Sequence, residues 1–292
     1  MKRILTGVAL ATTAALVTAT PALAAAPKDP VVAVKKQLVA GKGVKFSERT
    51  TISQGSLRQV FLRRTGTLQF KKSGIAASDI TGKLNLNASD LEGLDENGDN
   101  ADEVATLKAM TQPERTIRIG TTSYVSGGFW TTVLPEDKTW FKAPNGPTGG
   151  MFGTFGQPLN LAEPATLKTL LKGAKTTGSG YSGKTVIGDL WKASPWLRAT
   201  WLDKPSAKGL KAAISWRITV NKAGLPTRVV ATFPASALGD VGGGSVSVDT
   251  SYTGWGSAVS IKAPPAEEVA TTFKDGEDDI ESLDLPLGSI AG

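Results

Sequence analysis

The sequence predicts an α+β domain: one strongly curved antiparallel β-sheet with helices covering its concave face. Three observations carry this. Residues 214–269 read as consecutive half-buried strands, further strand-like segments recur through the first half of the chain, and helical stripes are inserted among them at only a few points. The first is the clearest. Ile214, Trp216, Ile218 and Val220 alternate with Ser215, Arg217 and Thr219, the period-two pattern of a strand with one apolar and one polar face. Asn221 to Gly224 supplies a turn, and Leu225-Pro226 leads into a second strand in which Val229, Ala231 and Phe233 share a side. After a glycine-rich connector from Gly239 to Gly244, Val246 and Val248 alternate again. Gly254-Trp255-Gly256 breaks that strand before Val259-Ser260-Ile261, and Pro264-Pro265 ends it.

From the amino terminus, Lys2 and Arg3 precede an apolar run from Ile4 to Val17 and then Pro21-Ala22-Leu23-Ala24. This is the layout of a secretory signal peptide over residues 1–24, cleaved near Ala24, which predicts a secreted, extracytoplasmic protein of the cell envelope. Residues 25–272 are expected to form a single domain. Asp29-Pro30 reads as an N-cap with proline at the first helical position, followed by Val31, Val34 and Leu38 on one face and a stop at Gly41 and Gly43. Residues 44–52, 66–71 and 80–86 supply three strands, with Leu68 and Phe70, and Ile80, Leu84 and Leu86, in step. Val104, Leu107 and Met110 are spaced to lay a helix on the sheet. Strands resume at 116–119 and 123–125, and residues 130–141 read as a hairpin turning at Pro135-Glu136-Asp137-Lys138. Glycine and proline make 143–157 a long loop; Leu167, Leu170, Leu171 and Ala174 then form a helical stripe opened by Pro164. The acidic segment after residue 272 is expected to be a disordered, solvated tail over 273–292.

Composition excludes more than it selects. The chain of 292 residues has no cysteine, so an exported form has no disulfide and its stability rests on buried area. It has no histidine, which removes the usual general base and the commonest zinc ligand. The formal charge is +7 with basic residues scattered, which gives no nucleic-acid footprint. Mixed surface charge of this kind suits a soluble monomer, and mild positive charge suits approach to an anionic envelope surface or a partner protein.

Two motif-like stretches read as ordinary structure. Gly178-Ser179-Gly180-Tyr181-Ser182-Gly183-Lys184-Thr185 has phosphate-loop spacing, but a helix precedes it and no helix-forming stretch follows, so it reads as a Gly/Ser-rich turn. Asp95, Asn97, Asp99 and Asp102 lack the glycine and glutamate positions of an EF-hand and read as a polar surface loop. Nucleophilic catalysis is poorly supported without histidine or a Ser-x-x-Lys pair, and paired carboxylates, whose partners meet only in space, leave a hydrolase as a third reading. No catalytic residue, metal ligand or cofactor is expected. Trp191, Trp196 and Trp201, five residues apart, would fall ~140° apart on a straight helix and form no single face. An indole, apolar with one polar N–H, also suits the mouth of an apolar cavity.

The segments Tyr252-Thr253-Gly254-Trp255-Gly256 and Ile261-Lys262-Ala263-Pro264-Pro265, with Trp216, the Gly224-Leu225-Pro226-Thr227-Arg228 turn and the 118–124 hairpin, resemble the LolA/LppX-type superfamily of envelope proteins. The resemblance covers roughly residues 30–270. It implies a half-barrel with a helical lid, whose concave surface is left partly unfilled and accepts lipid chains. LppX-type relatives usually carry a cysteine at the cleavage site for lipid attachment; this chain has none and departs from the pattern there.

With the strand faces assigned as above, the concave side collects Phe46, Leu68, Phe70, Leu84, Leu86, Ile117, Ile119, Trp216, Ile218, Val229, Phe233, Val246 and Val248, and Leu167, Leu170 and Leu171 close over it. The reading is a non-enzymatic binding protein or carrier for lipids or acylated molecules, with Leu170→Trp expected to block binding at little cost to the fold. An alternative is a lipid- or envelope-stress-sensing interaction module on the same fold. These residues would serve equally as an open cavity or a packed core.

Overall fold

The computed structural model describes residues 29–85, 101–201, 204–239 and 243–276. Residues 1–24, read above as a signal peptide, Leu86, the Asp95, Asn97 and Asp99 positions, and the acidic run from residue 277 lie outside the described residues.

The chain opens with α1 (Pro30–Lys35), where the Asp29 carboxylate accepts the Val31 N–H and Pro30 starts the helix. A meander follows: β1 (Lys42–Gln54), β2 (Leu57–Lys71), β3 (Gly74–Leu84), then α2 (Ala101–Met110), β4 (Glu114–Ile119) and β5 (Thr122–Gly127). A helical turn, α3 (Trp130–Val133), precedes β6 (Trp140–Pro144). Here the sequence reading needs correction, because residues 130–141 are not a hairpin. Trp130 begins a helical turn, and its indole N–H donates to the Glu114 carboxylate instead of sitting in a ladder. After a long loop come α4 (Pro164–Leu171), β7 (Lys175–Thr177), β8 (Gly180–Val186), α5 (Ile187–Ala193), α6 (Pro195–Thr200) and α7 (Ala207–Leu210). The phosphate-loop-like stretch is thus the β7–β8 hairpin. Finally β9 (Ala213–Val220), β10 (Pro226–Pro234), β11 (Ser245–Ala258) and the short β12 (Val269–Ala270) complete the sheet. Gly254 and Gly256, both at positive φ, absorb a register shift against β1 within a continuous β11.

The twelve strands of the described residues form one open sheet in the order β12-β6-β5-β4-β3-β2-β1-β11-β10-β9-β8-β7, antiparallel except at β12–β6. The pairing of β1 with β11 joins the two meanders at its centre. Both edges are very short strands, which leaves little unpaired backbone to recruit another chain. One row across the concave face runs Tyr252, Phe46, Gly66, Ile80, Thr116, Val125, Phe141. The Phe46 ring lies over Gly66 so closely that a Cβ there would come within 2.5 Å of it.

That row fixes the face of the seven strands it crosses and corrects the assignment for β4. Thr116 shares the concave face, and so do Glu114 and Arg118. Ile117 and Ile119 point to the convex side, where Ile117 lies between Asp79 and Tyr124 and Ile119 is 37% exposed. The sequence reading placed both on the concave face because it took apolar residues as the inward set; the polar set is the inward one.

The core is two hydrophobic clusters. One joins β1, β2 and β9–β11 to α4–α6, with Leu68, Phe70, Leu167, Trp216, Ile218, Val229, Phe233, Val246 and Val248. The other joins β2–β6 to α2 and α3, with Leu62, Leu84, Met110, Val125, Trp130 and Phe141. Val104, Leu107 and Met110 are buried as the helical spacing predicts. Phe273 belongs to the second cluster, its ring 4.3 Å from that of Phe141. The domain boundary drawn at residue 272 therefore falls too early: a stacked aromatic beyond it is part of the core.

Between the clusters a polar belt crosses the concave face. Arg64 and Glu48 form an ion pair at 2.7 Å with both side chains almost wholly buried. Thr250 donates to the second Glu48 oxygen, and the Gln157 amide donates in turn to Thr250. Thr50 donates to the Phe155 carbonyl. The Thr50 and Gln157 bonds, with the Leu161 N–H donating to the Tyr252 hydroxyl, pin the glycine-rich loop of residues 145–162 against the sheet. The loop is buried and plugs the half-barrel. Gly156 fits closely there, since a Cβ would stand 1.7 Å from Arg64 Nη2 and one of the two would have to shift.

Candidate functional site

The plug decides how the concave face can be used. Phe46, Leu68, Phe70, Leu84, Leu167, Leu170, Trp216, Ile218, Val229, Phe233, Val246 and Val248 are all buried in the core clusters. The space left among Phe46, Leu68, Trp196 and the Glu48–Arg64 pair is about 10 Å³, no more than one water molecule occupies. Leu170 is 1% exposed, so Leu170→Trp would overpack the core, contrary to the expectation that it spares the fold. Leu171 is half-buried on the rim, beside a shallow groove shared with α1.

A cleft of about 260 Å³ opens instead at one end of the sheet. Its floor is the start of β3, with Ile75, Ala76, Ala77 and Ser78, next to Arg118 and Gly120 at the end of β4. Its roof is the first turns of α4 and α6, with Pro164, Ala165, Pro195, Trp196 and Ala199. Sequence reasoning missed these residues apart from Trp196, whose type suits a cavity mouth. Small residues, prolines and a single arginine carry no periodic signal. None of the fifteen described residues assigned from the strand and helix faces lines this cleft.

Glu163 builds the roof. One of its oxygens accepts the Trp196 N–H at 2.8 Å; the other accepts from Thr166 at 2.9 Å and from Ser194. Ser194 in turn caps α6 through the Leu197 N–H. The carboxylate therefore ties the starts of α4 and α6 together across the cleft. Burial pushes its pKa above the ordinary glutamate value, and the three donors oppose that rise.

Arg118 supplies the cleft's cation. It pairs with Ser78 and Ser123 across the strands and so faces inward. Its Nε donates to the Gly146 carbonyl at 3.2 Å, and burial lowers its pKa. Ser123 accompanies it, donating to the carbonyls of Gly146 and Pro147. Among the described residues no three carboxylates converge as a metal site would need.

No protein-family model matches the chain, and no curated protein matches it. Two solved structures are similar in outline. A hypothetical protein from Chlamydia trachomatis aligns over 80% of this chain and 98% of its own, at 13% identity and a TM-score of 0.30. A LolA superfamily protein from Nitrosomonas europaea aligns over 77% of this chain and 90% of its own, at 8% identity and a TM-score of 0.27. At such scores neither likeness carries an argument, and the half-barrel rests on the strand order and register described above.

Proposed function

We propose that this protein is an exported, non-enzymatic binding protein or carrier that takes the acyl chain of a lipid or acylated molecule into the end cleft. The supporting observation is the cleft's construction: an apolar floor and roof of Ile75, Ala76, Ala77, Pro164, Ala165 and Trp196, with a single cationic side chain among the residues that line it. Each CH2 moved there from water contributes ~0.8 kcal/mol, so a short run of methylenes suffices for useful affinity without catalysis. The volume lies just under the usual ~300–1,000 Å³ of small-ligand sites, which suits one chain segment and not a whole lipid. Export rests on the amino-terminal segment with its Pro21-Ala22-Leu23-Ala24 site, and the place of action is the cell envelope.

Native mass spectrometry with organic extraction, on mature protein purified from its own host's envelope and culture fractions, tests the reading. A co-purifying lipid of defined mass is expected at up to one per chain, and Ala165→Trp should remove it. Ala165 is exposed on the first turn of α4, so the added indole fills the cleft without entering the core. Apo protein from both fractions, with no uptake of added phospholipid or glycolipid, sinks the carrier reading. The packed centre of the concave face favours a second reading, a sensing interaction module, and that outcome would select it.

A further inference from the structure

Resting on the acyl-binding reading, we infer that Arg118 makes the end cleft selective for an anionic amphiphile, a chain bearing a carboxylate or phosphate headgroup, with the chain on the apolar wall and the anion on the guanidinium.

The arginines divide by what answers their charge. Arg64 is paired with Glu48, Arg115 with Asp79, and both Arg49 and Arg228 with Asp249. Arg58, Arg63, Arg198 and Arg217 are exposed to water. Arg118 has neither answer. It is half-buried, no carboxylate of the described residues lies within ion-pair distance, and among the described residues its one hydrogen bond is from Nε, with neither Nη group engaged. A partly desolvated cation without a counter-charge is costly, and the fork of an arginine fits carboxylate or phosphate oxygens two at a time.

The neighbourhood repeats the point. Thr148, on the same cleft, is buried and its hydroxyl has no hydrogen-bond partner. The Arg118 and Ser123 side chains hold the loop just before it through Gly146 and Pro147. Glu163, the one carboxylate lining the cleft, is committed to Thr166, Ser194 and Trp196 and does not neutralise Arg118. An apolar trough that ends at an unanswered cation matches an amphiphile in shape and in charge order. A free small anion would leave the trough unused, and a neutral chain would leave the cation unused.

The test compares palmitate, hexadecanol, acetate and inorganic phosphate as ligands, by calorimetry below the micellar range, for the wild-type chain, Arg118→Gln and Arg118→Lys. Wild type is expected to bind palmitate at least tenfold more tightly than hexadecanol. Arg118→Gln should weaken palmitate about tenfold or more while leaving hexadecanol within about twofold, and Arg118→Lys should recover part of the loss. Retained hexadecanol binding in Arg118→Gln also shows that the variant is folded. Equal binding of palmitate and hexadecanol by wild type, or an equal loss of both in Arg118→Gln and Arg118→Lys, overturns the inference while leaving acyl binding intact. Acetate or phosphate binding as tightly as palmitate makes this a small-anion site and overturns it too. Binding of none of the four overturns the acyl reading itself.

Discussion

Glu114 shows most directly what the polar inward set of β4 does. Its carboxylate is wholly buried, accepting the Trp130 indole N–H at 2.8 Å and the Met151 N–H at 3.0 Å, and so holds α3 and the plug to the sheet. Burial pushes its pKa up to about 7 from 4.5, although the two donors and the nearby Arg64 charge pull the other way. The folded protein therefore binds a proton that the unfolded chain has released. This contribution to stability is fully present below pH 4.5 and is lost as pH rises towards 7, by ~3 kcal/mol at 1.36 kcal/mol per pH unit. Denaturant titrations between pH 4 and 8 should show that loss, and Glu114→Gln, which stays neutral, should flatten the profile; an unchanged slope in the variant would refute the assignment. Glu48 is the direct ion-pair partner of the buried Arg64. Glu48→Ala should cost ~3–5 kcal/mol in an equilibrium unfolding measurement, since it leaves Arg64 buried and uncompensated.

At the scale of elements, β4 and the plug mark where the sequence was readable. The faces of β9, β10 and β11 could be read directly, because the alternating apolar set Ile214, Trp216, Ile218, Val229, Ala231, Phe233, Val246 and Val248 points one way into the core. In β4 the rule inverts: Glu114, Thr116 and Arg118 look inward because a polar belt, not an apolar core, lies against that strand. No single-sequence pattern distinguishes a buried belt from a wet face. The plug was legible as a glycine-rich loop but not as interior, since its burial depends on partners from β1, β2, β4 and β11, far away in sequence. The end cleft was illegible for a related reason: it is bounded by element ends, not faces. Gly156→Ala tests the plug as a packed element. Its φ is −83°, so the backbone accepts alanine, but the new methyl would strike an Arg64 already fixed by Glu48. A loss of ~1–3 kcal/mol is expected from overpacking, read as a fall in the denaturant midpoint at constant slope. A neutral result would mean that the loop moves aside freely.

Across the whole molecule, the curved sheet carries two cores separated by a charged belt, and this division sets the end cleft apart from the second core. The cleft touches the first core through Trp196, whereas Phe273 closes the second, stacked on Phe141 and facing Trp130 at 6.4 Å. A chain ended at residue 272 removes that ring and keeps all twelve strands. Phe→Ala losses in cores of this kind run ~3–5 kcal/mol, and the truncated chain should lose a comparable amount, visible as a drop in melting temperature. Because the belt and plug stand between the lost ring and the cleft, affinity per folded molecule should stay within about twofold of wild type for any ligand that Ala165→Trp excludes. Weakened binding in the truncated chain at a temperature where it is fully folded would show that the belt transmits strain from one core to the other, and that the half-barrel behaves as one coupled body.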